Sequence, residues 1–392
     1  MRRIAFALAA CVSAFTTFGQ PFSVSGYIKD MQGLYYLENP VPISPGTTFQ
    51  WSTYNQIHNR LNLSWTPTTN LRLEAGVRNR LLTGKLVHDV VGYAGLFEED
   101  NGLVDLSWNL VDQPDGFLNT SIDRAFIEYT LHHVQLRVGR QRINWGINLV
   151  WNPNDLFNAF SYIDFDYEER PGSDAVLLTW YNSATSNLDL VLKTDSSHRI
   201  TLAGRYAFNI QNYDLQFIGG TYNDDAVVGG GFSGSIGSVS LRGEGSVFIP
   251  VATTGPNTRT TVSATLSADY TLKNDLYLHG AFLYNGMGTT SRGAGVSLLN
   301  PSSTLSAKSL SIGKYEVFGQ LSYPLNPLTN LSLAGMLNPS DGSIYLGPSA
   351  TISLHDNLEL MLTTQLLLGE AGSEYGYLGN TYAGFGRLRW SF

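Results

Sequence analysis

From about residue 22 to the last residue, apolar and polar side chains alternate in short runs separated by turn residues. In "LRLEAGV", Leu71, Leu73, Ala75 and Val77 share one parity, and Arg72, Glu74 and Arg78 take the other. In "YEVFGQLSY", Tyr315, Val317, Leu321 and Tyr323 oppose Glu316, Gln320 and Ser322. In "SVSLRGEGSV", Val239, Leu241 and Val247 oppose Ser240, Arg242, Glu244 and Ser246. A period of two marks strands with two unlike faces. In these runs one face lacks charge and the other tolerates it. The chain ends the same way: in "GFGRLRWSF", Leu388, Trp390 and Phe392 oppose Arg387, Arg389 and Ser391. An edge strand showing two aromatics to water invites aggregation. The last strand is therefore expected to pair with the first, "FSVSGYIKD".

The turns repeat as well. "WTPTTNLRL", "YTLKNDLYL", "YPLNPLTNLSL" and "ISLHDNLEL" each end a strand, pass through turn residues that include Asn, and open the next strand with Leu-x-Leu; "SATSNLDL" is a looser copy. Asn tolerates the left-handed backbone that tight hairpins need. Longer polar connections are expected near Leu37 to Ser52, Gly84 to Thr120, Asn285 to Ser311 and Gly369 to Asn380. Short and long connections alternating in this way mark a transmembrane barrel, with short turns on the periplasmic side and long loops outside. The expectation is an all-β, antiparallel transmembrane β-barrel of about 18 strands, with both chain ends in the periplasm.

The N-terminus adds a compartment. "MRRIAFALAACVSAFTTFGQ" has two arginines, an apolar run and a polar exit, which is the layout of a secretory signal peptide over residues 1–20, leaving 21–392 as the barrel domain. "LAAC" also fits a lipobox at Cys11, but the apolar run continues past it to Phe15 and Phe18. Cys11 is the only cysteine, so cleavage after Gln20 removes every thiol that could form a disulfide or hold a metal. With 43% hydrophobic and 14% charged residues, 40 glycines and 21 tyrosines, the composition favours strands, and no later apolar run reaches the length of a spanning helix. The formal charge is −8, and losing Arg2 and Arg3 makes it −10, which argues against nucleic acid as a partner. The expected location is the outer membrane of a Gram-negative bacterium, with its lipid as the first partner.

One segment breaks the alternation. After Gly139 the pattern stops for about thirty residues, "RQRINWGINLVWNPNDLFNAFSYIDFDYEERPGSD", too aromatic for disorder. A loop at residues 143 to 173 folded inward to narrow a pore is the expected use. "RVGRQRINWG", with "WNPNDLFNAF" and "DFDYEERPGSDAV", resembles the Gly-Arg-Gln…Trp-Gly signature of outer-membrane porin-like barrels related to the alginate-export family. That resemblance implies an eighteen-stranded channel with an arginine-lined lumen that passes an anionic polysaccharide. Carried over residue by residue, it marks Arg137, Arg140, Gln141, Arg142, Trp145, Gly146, Asn152, Asp155 and Asn158.

The charges read in the same direction. Arg60, Arg72, Arg78, Arg80, Arg124, Arg137 and Arg142 crowd the polar parities of the early strands, where guanidinium forks suit carboxylate or phosphate. The plainer use of these arginines is to pair with Glu74, Asp123, Glu128 and the loop acids Asp164, Asp166, Glu168 and Glu169, holding the loop in place. Asp164, Asp166 and Glu168 would share a face if extended, as in a calcium site, but pairing with arginine is the stronger reading. "GGGFSG" (229–234) formally matches a dinucleotide fingerprint without the helix it needs, and His132 and His133 fall in a tight turn that suits no metal. No catalytic motif, cofactor or metal site is expected. The leading function is a channel for diffusion or export of small polar or anionic solutes, anionic saccharides among them, with weak anion selectivity from the arginines. The alternative is a barrel with a filled lumen, acting as a scaffold or surface-assembly partner for another outer-membrane protein.

Overall fold

The computed structural model describes residues 21–44, 47–166, 170–251, 259–296 and 305–392. The first three strands are β1 (Phe22–Ser44), β2 (Thr47–Thr68) and β3 (Leu71–Thr83). Two short helices, α1 (Lys85–Asp89) and α2 (Gly95–Glu98), precede β4 (Ser107–Gln113), β5 (Gly116–Leu131) and β6 (Val134–Gln141). After the inward loop come β7 (Ser173–Ser183), β8 (Ser186–Thr194), β9 (Ile200–Ile210), β10 (Tyr213–Tyr222), β11 (Asp225–Ile236), β12 (Val239–Pro250) and β13 (Thr261–Thr271). The circuit ends with β14 (Tyr277–Asn285), β15 (Tyr315–Asn326), β16 (Thr329–Leu337), β17 (Ile344–His355), β18 (Leu358–Leu368) and β19 (Thr381–Ser391).

All nineteen strands belong to one sheet, and hydrogen-bonded neighbours run antiparallel. β1 pairs with β19 from Tyr27↔Ser391 to Leu37↔Thr381, so the sheet closes on itself. Gly26 and Phe392 exchange both backbone hydrogen bonds at 2.9 Å, which leaves the terminal aromatic strand with no free edge. With β4 left aside as a patch on β5, eighteen strands make the circuit.

The Asn-containing repeats all fall at one rim, as the hairpins β2–β3, β7–β8, β13–β14, β15–β16 and β17–β18. Both described chain ends lie at that rim. At the opposite rim, the expected long connection over 37–52 is instead strand over 37–44 and 47–52. β1 runs to Ser44, and Val41 pairs with Phe49 beyond a bulge. Pro40 and Pro42 are tolerated in this strand because β19 stops opposite Leu37, so the upper part of β1 has an edge where missing N–H groups cost nothing. The connection expected over 84–120 is likewise partly regular, since it contains α1, α2, β4 and the first residues of β5.

That connection repairs the wall. β6 ends at Gln141, where the chain turns into the lumen, and this would leave the upper half of β5 unpaired. β4 takes that edge, with Ser107 opposite Ser121 and Gln113 opposite Gly116, and Ile122 N–H donates to Leu106 C=O at 2.9 Å. On the other side Gly102 bridges to Asp195, beside β8. The stretch from about residue 101 to 113 therefore stands in the wall where β6 is absent.

Outward-facing positions are overwhelmingly apolar, as in Phe217 (62% exposed), Val228 and Leu266. Exposed aromatics gather near both rims: Phe22, Trp65, Trp180 and Trp390 below, Trp51 and Tyr382 above. An apolar band between aromatic girdles is what a bilayer requires of a barrel.

Candidate functional site

The inward loop runs from Arg142 to Gly172 and crosses the whole lumen; Glu168 and Glu169 lie outside the described residues. Its apolar side chains anchor it at two walls. Ile143, Trp145, Leu156 and Phe157 pack with Leu177, Val191, Ile218 and Phe248, while Val150, Trp151 and Ile163 pack with Leu283, Phe318, Met336 and Leu367. A third apolar cluster, around Leu37, Leu82, Leu86 and Phe117, holds α1 inside the upper mouth.

Polar contacts fix the register of the loop. The Glu244 carboxylate on β12 accepts from Ile147 N–H at 3.2 Å, Asn148 N–H at 3.0 Å, the Asn148 amide at 3.1 Å and Asn154 N–H at 3.2 Å. A carboxylate that gathers several N–H donors makes stronger bonds than a neutral acceptor would. Asn154 donates to Gly230 C=O at 2.9 Å and accepts from Ser246 Oγ at 2.8 Å. A Cβ at Gly229 would stand 2.9 Å from the Asn154 amide oxygen, and one at Gly231 would stand 2.9 Å from Ile147 Cδ1. The glycine-rich "GGGFSG" run thus clears space on β11 for the loop. Trp145 Nε1 donates to Asp189 at 3.2 Å, Gln216 donates to Trp145 C=O at 2.7 Å, and Gln365 donates to Ile163 C=O at 2.5 Å.

The far end of the loop meets β1, β2 and β19. Asp166 forms ion pairs with Lys29 at 2.6 Å and Arg387 at 3.2 Å, and Gln56 donates to it at 3.3 Å. Asp166 is therefore occupied by cations of the protein rather than placed for calcium. Burial, then the neighbouring Asp166 carboxylate, pushes the Asp164 carboxyl up to about 7, against the opposing pull of Lys29, Arg80 and Arg78. Asp155, 1% exposed, is pushed up to about 6 by burial, with Arg170 at 3.6 Å pulling the other way. Asn158 donates to Ile143 C=O at 3.2 Å, and Asn152 is buried against Gly146. Sequence reasoning had not marked Lys29, Glu244 or Arg387. Their lumen-facing parity was readable, but their partners lie 90 or more residues away in the case of Asn154 and Glu244 and 137 in that of Lys29 and Asp166.

The structure separates the arginines by place. Arg78 and Arg80 point into the lumen and line a cavity of ≈ 660 Å³ between the loop and the β1–β3 wall. Arg80 donates to Asn119 at 2.8 Å and Arg78 lies 3.9 Å from Asp123. Arg60 pairs with Asp123 at 2.6 Å, and Arg124 donates to Asp123 C=O at 2.6 Å and to Arg170 C=O at 2.9 Å. Nearer the lower mouth, Arg72 pairs with Glu74 and Arg137 with Glu128. Arg140 borders the cavity, but its guanidinium is committed to the wall. It forks onto Asp174 with two 2.7 Å bonds, pairs with Asp100 at 2.5 Å, and donates to the carbonyls of Val104 and Ile122. Gln141 is fully buried and donates to Ala175 C=O at 3.0 Å. Arg142 is exposed at the start of the loop.

The wall of β1–β3, β5, β18 and β19 carries Lys29, Arg60, Arg72, Arg78, Arg80, Arg124, Arg387 and Arg389 against Glu74, Asp123, Glu128 and Glu359 and the loop acids Asp164 and Asp166. Bases outnumber acids there. The opposite lining, with Glu99, Asp100, Asp174 and Asp195 against Arg140, Lys193 and Arg199, carries one more acid than base. Among the described residues no group of three or more metal-binding side chains occurs.

Neither a protein-family profile nor a curated protein matches this sequence. Solved structures do. Pseudomonas aeruginosa OccK9 (OpdG) aligns at a TM-score of 0.61 and 12% identity, over 95% of this chain and 98% of that one. P. aeruginosa OccD3 (OpdP) aligns at 0.57 and 9% identity, over 94% and 91%. Acinetobacter baumannii OccAB4 aligns at 0.55 and 8% identity, over 95% and 99%. The likeness holds for the barrel and not for the alginate-export group in particular, and this chain is an eighteen-stranded, porin-like β-barrel with the fold of the Occ structures.

Proposed function

We propose that this chain is an outer-membrane channel through which small polar or anionic solutes diffuse, anionic saccharides among them. The observation that carries this reading is the polar cavity of ≈ 660 Å³ kept open between the docked loop and a wall rich in arginine. A scaffold barrel has no need of such a space, since its lumen could pack as tightly as a protein core. Low-dielectric walls focus the field of the residues that line a narrow passage, and those residues set its ion preference. Net basic charge on the β1–β3 and β19 wall therefore gives weak anion selectivity despite the acidic chain.

The filled-lumen scaffold remains the second reading, favoured by the number of wall strands to which the loop is bonded. Planar-bilayer recording of the purified protein separates the two. The channel gives discrete conductance steps and a reversal potential in a salt gradient on the anion side. Arg78→Gln with Arg80→Gln moves that potential toward cations. Silence in the bilayer, both from the intact protein and from a loop-shortened variant, overturns the channel reading.

A further inference from the structure

The outward faces of β8 to β19 carry no carboxylate, base or amide on their lipid-facing parity. One sector of the barrel breaks this rule. Lys29 points into the lumen, so Asp30 and Gln32 point outward from β1, and both are exposed. Asn55 and Asn59 face outward from β2 and Asn79 from β3, each half-buried. The groups form a hydrogen-bonded row across four strands: Thr120 Oγ1 donates to Asn79 at 2.8 Å, Asn79 donates to Asn59 at 3.3 Å, and Asn59 donates to Tyr27 C=O at 3.3 Å. Asp30 accepts from Gln32 at 3.0 Å and has no ion pair among the described residues.

The height of this row matters. On β2 the exposed Trp51 and Trp65 mark the two girdles, and Asn59 falls between them, eight residues from one and six from the other. The row therefore lies near the middle of the apolar band, where a carboxylate or amide facing hydrocarbon is most costly. Beyond α1, which packs on β2 and β3, Val91 is 89% exposed. This sector thus carries polar groups at lipid depth.

We propose that the outer face of β1, β2, β3 and β5 is an in-membrane interface with a second copy of this chain. The row is self-complementary, because amides and hydroxyls both donate and accept, so the same row on a neighbour satisfies it, and Gln32, Asn55 and Asn59 supply N–H donors for the neighbour's Asp30. A rotated copy also presents an apolar band of the same height between the same girdles, and it makes a closed, symmetric contact. This inference rests on the barrel and its orientation in lipid, not on the channel reading.

Cross-linking in native membranes tests it. In a Cys11→Ser background, Asn59→Cys is treated with a short bismaleimide, with Phe217→Cys on the far side of the barrel as control. The expected result is a product of twice the chain mass from Asn59→Cys, containing this polypeptide alone, and none from Phe217→Cys. In mild detergent, light scattering is expected to give a multiple of the chain mass, falling to one copy for Asp30→Leu/Asn59→Leu/Asn79→Leu. The heat-dependent gel mobility of a folded barrel checks that this triple variant has folded. If it does not fold, the cross-linking result decides. A maleimide-reactive Asn59→Cys that gives no dimer, a cross-link to a different polypeptide, or a folded triple variant of unchanged mass overturns the proposal.

Discussion

At the scale of single residues, charge in the lumen is used twice, once to seat the loop and once to make its seating depend on pH. Glu244 receives four N–H groups from two separate turns of the loop, so one carboxylate holds residues 147 to 154 in register. Asp164 and Asp155, at the far end and in the middle of the loop, make its seating depend on pH. A carboxyl whose pKa is higher in the docked loop than in the unfolded chain holds its proton more tightly when docked. The docked loop is therefore favoured in acid, and loses that stabilisation as pH climbs from the ordinary carboxyl range through about 6 for Asp155 and about 7 for Asp164. Single-channel conductance is expected to rise across this window, as Asp164 ionises beside Asp166 and the end of the loop loosens. Asp164→Asn should reduce the upper part of the rise and leave the lower part, to which Asp155 contributes. A conductance independent of pH between 4 and 8 in the unsubstituted protein would refute this.

At the scale of elements, sending β6 into the lumen opens the wall, and a second element must close it. β4 and the stretch before it fill the gap, and Arg140 bolts this patch to β7 by holding Asp174 and Asp100 together. Gly139, with φ of 121°, takes a backbone conformation that side chains resist, at the point where β6 bends away. The glycine of "GRQ" thus serves the bend and its arginine serves the seam. Arg140→Ala leaves two part-buried carboxylates facing each other without their cation. By analogy with broken buried ion pairs, the loss is about 3–5 kcal/mol. The temperature at which the folded gel band disappears should fall accordingly, while Arg72→Ala, near the lower mouth, should move it little. Equal temperatures for Arg140→Ala and the unsubstituted protein would show that the seam closes without the bolt.

At the scale of the whole molecule, barrel and loop are separable. Gln141 and Ser173 face each other across β6 and β7, so a short turn between them continues the register that the strands already have. Closure of the sheet depends on pairs such as β1 with β19, none of which involves the loop. Replacing residues 144–166 with a short glycine-serine turn is expected to leave a folded barrel with conductance several-fold higher. It should also weaken ion preference, because charges on a wide passage are screened within about 8 Å at physiological salt. A loop-shortened protein that fails to show heat-dependent gel mobility would mean that the lumen contacts are needed for folding.

The sequence by itself determined what depends on neighbours along the chain. A period of two gave the strands and their two faces, Asn-containing hairpins gave one rim, and the even count with an aromatic last strand gave closure between first and last. The interrupted pattern after Gly139 located the inward loop within a residue or two of the bounds of β6 and β7. Each of these is written in spacing that a few residues carry. The tertiary structure decided what depends on distance across the lumen. Nothing near Glu244 in sequence points to Asn148, and nothing near Asp166 points to Lys29. Those pairs exist because closure brings β12 and β1 to walls that the loop crosses. The stretch from Leu37 to Ser52 reads as a long connection, yet Pro40 and Pro42 sit in β1. The cost of a proline in a strand depends on having a neighbour, and only the stagger of β19 shows that β1 has none there. The glycines at 229 and 231 formally match a dinucleotide fingerprint in the sequence, and only closure shows that the loop's Asn154 occupies the space they leave. Parity told which face a side chain takes, and closure alone told what that face would meet.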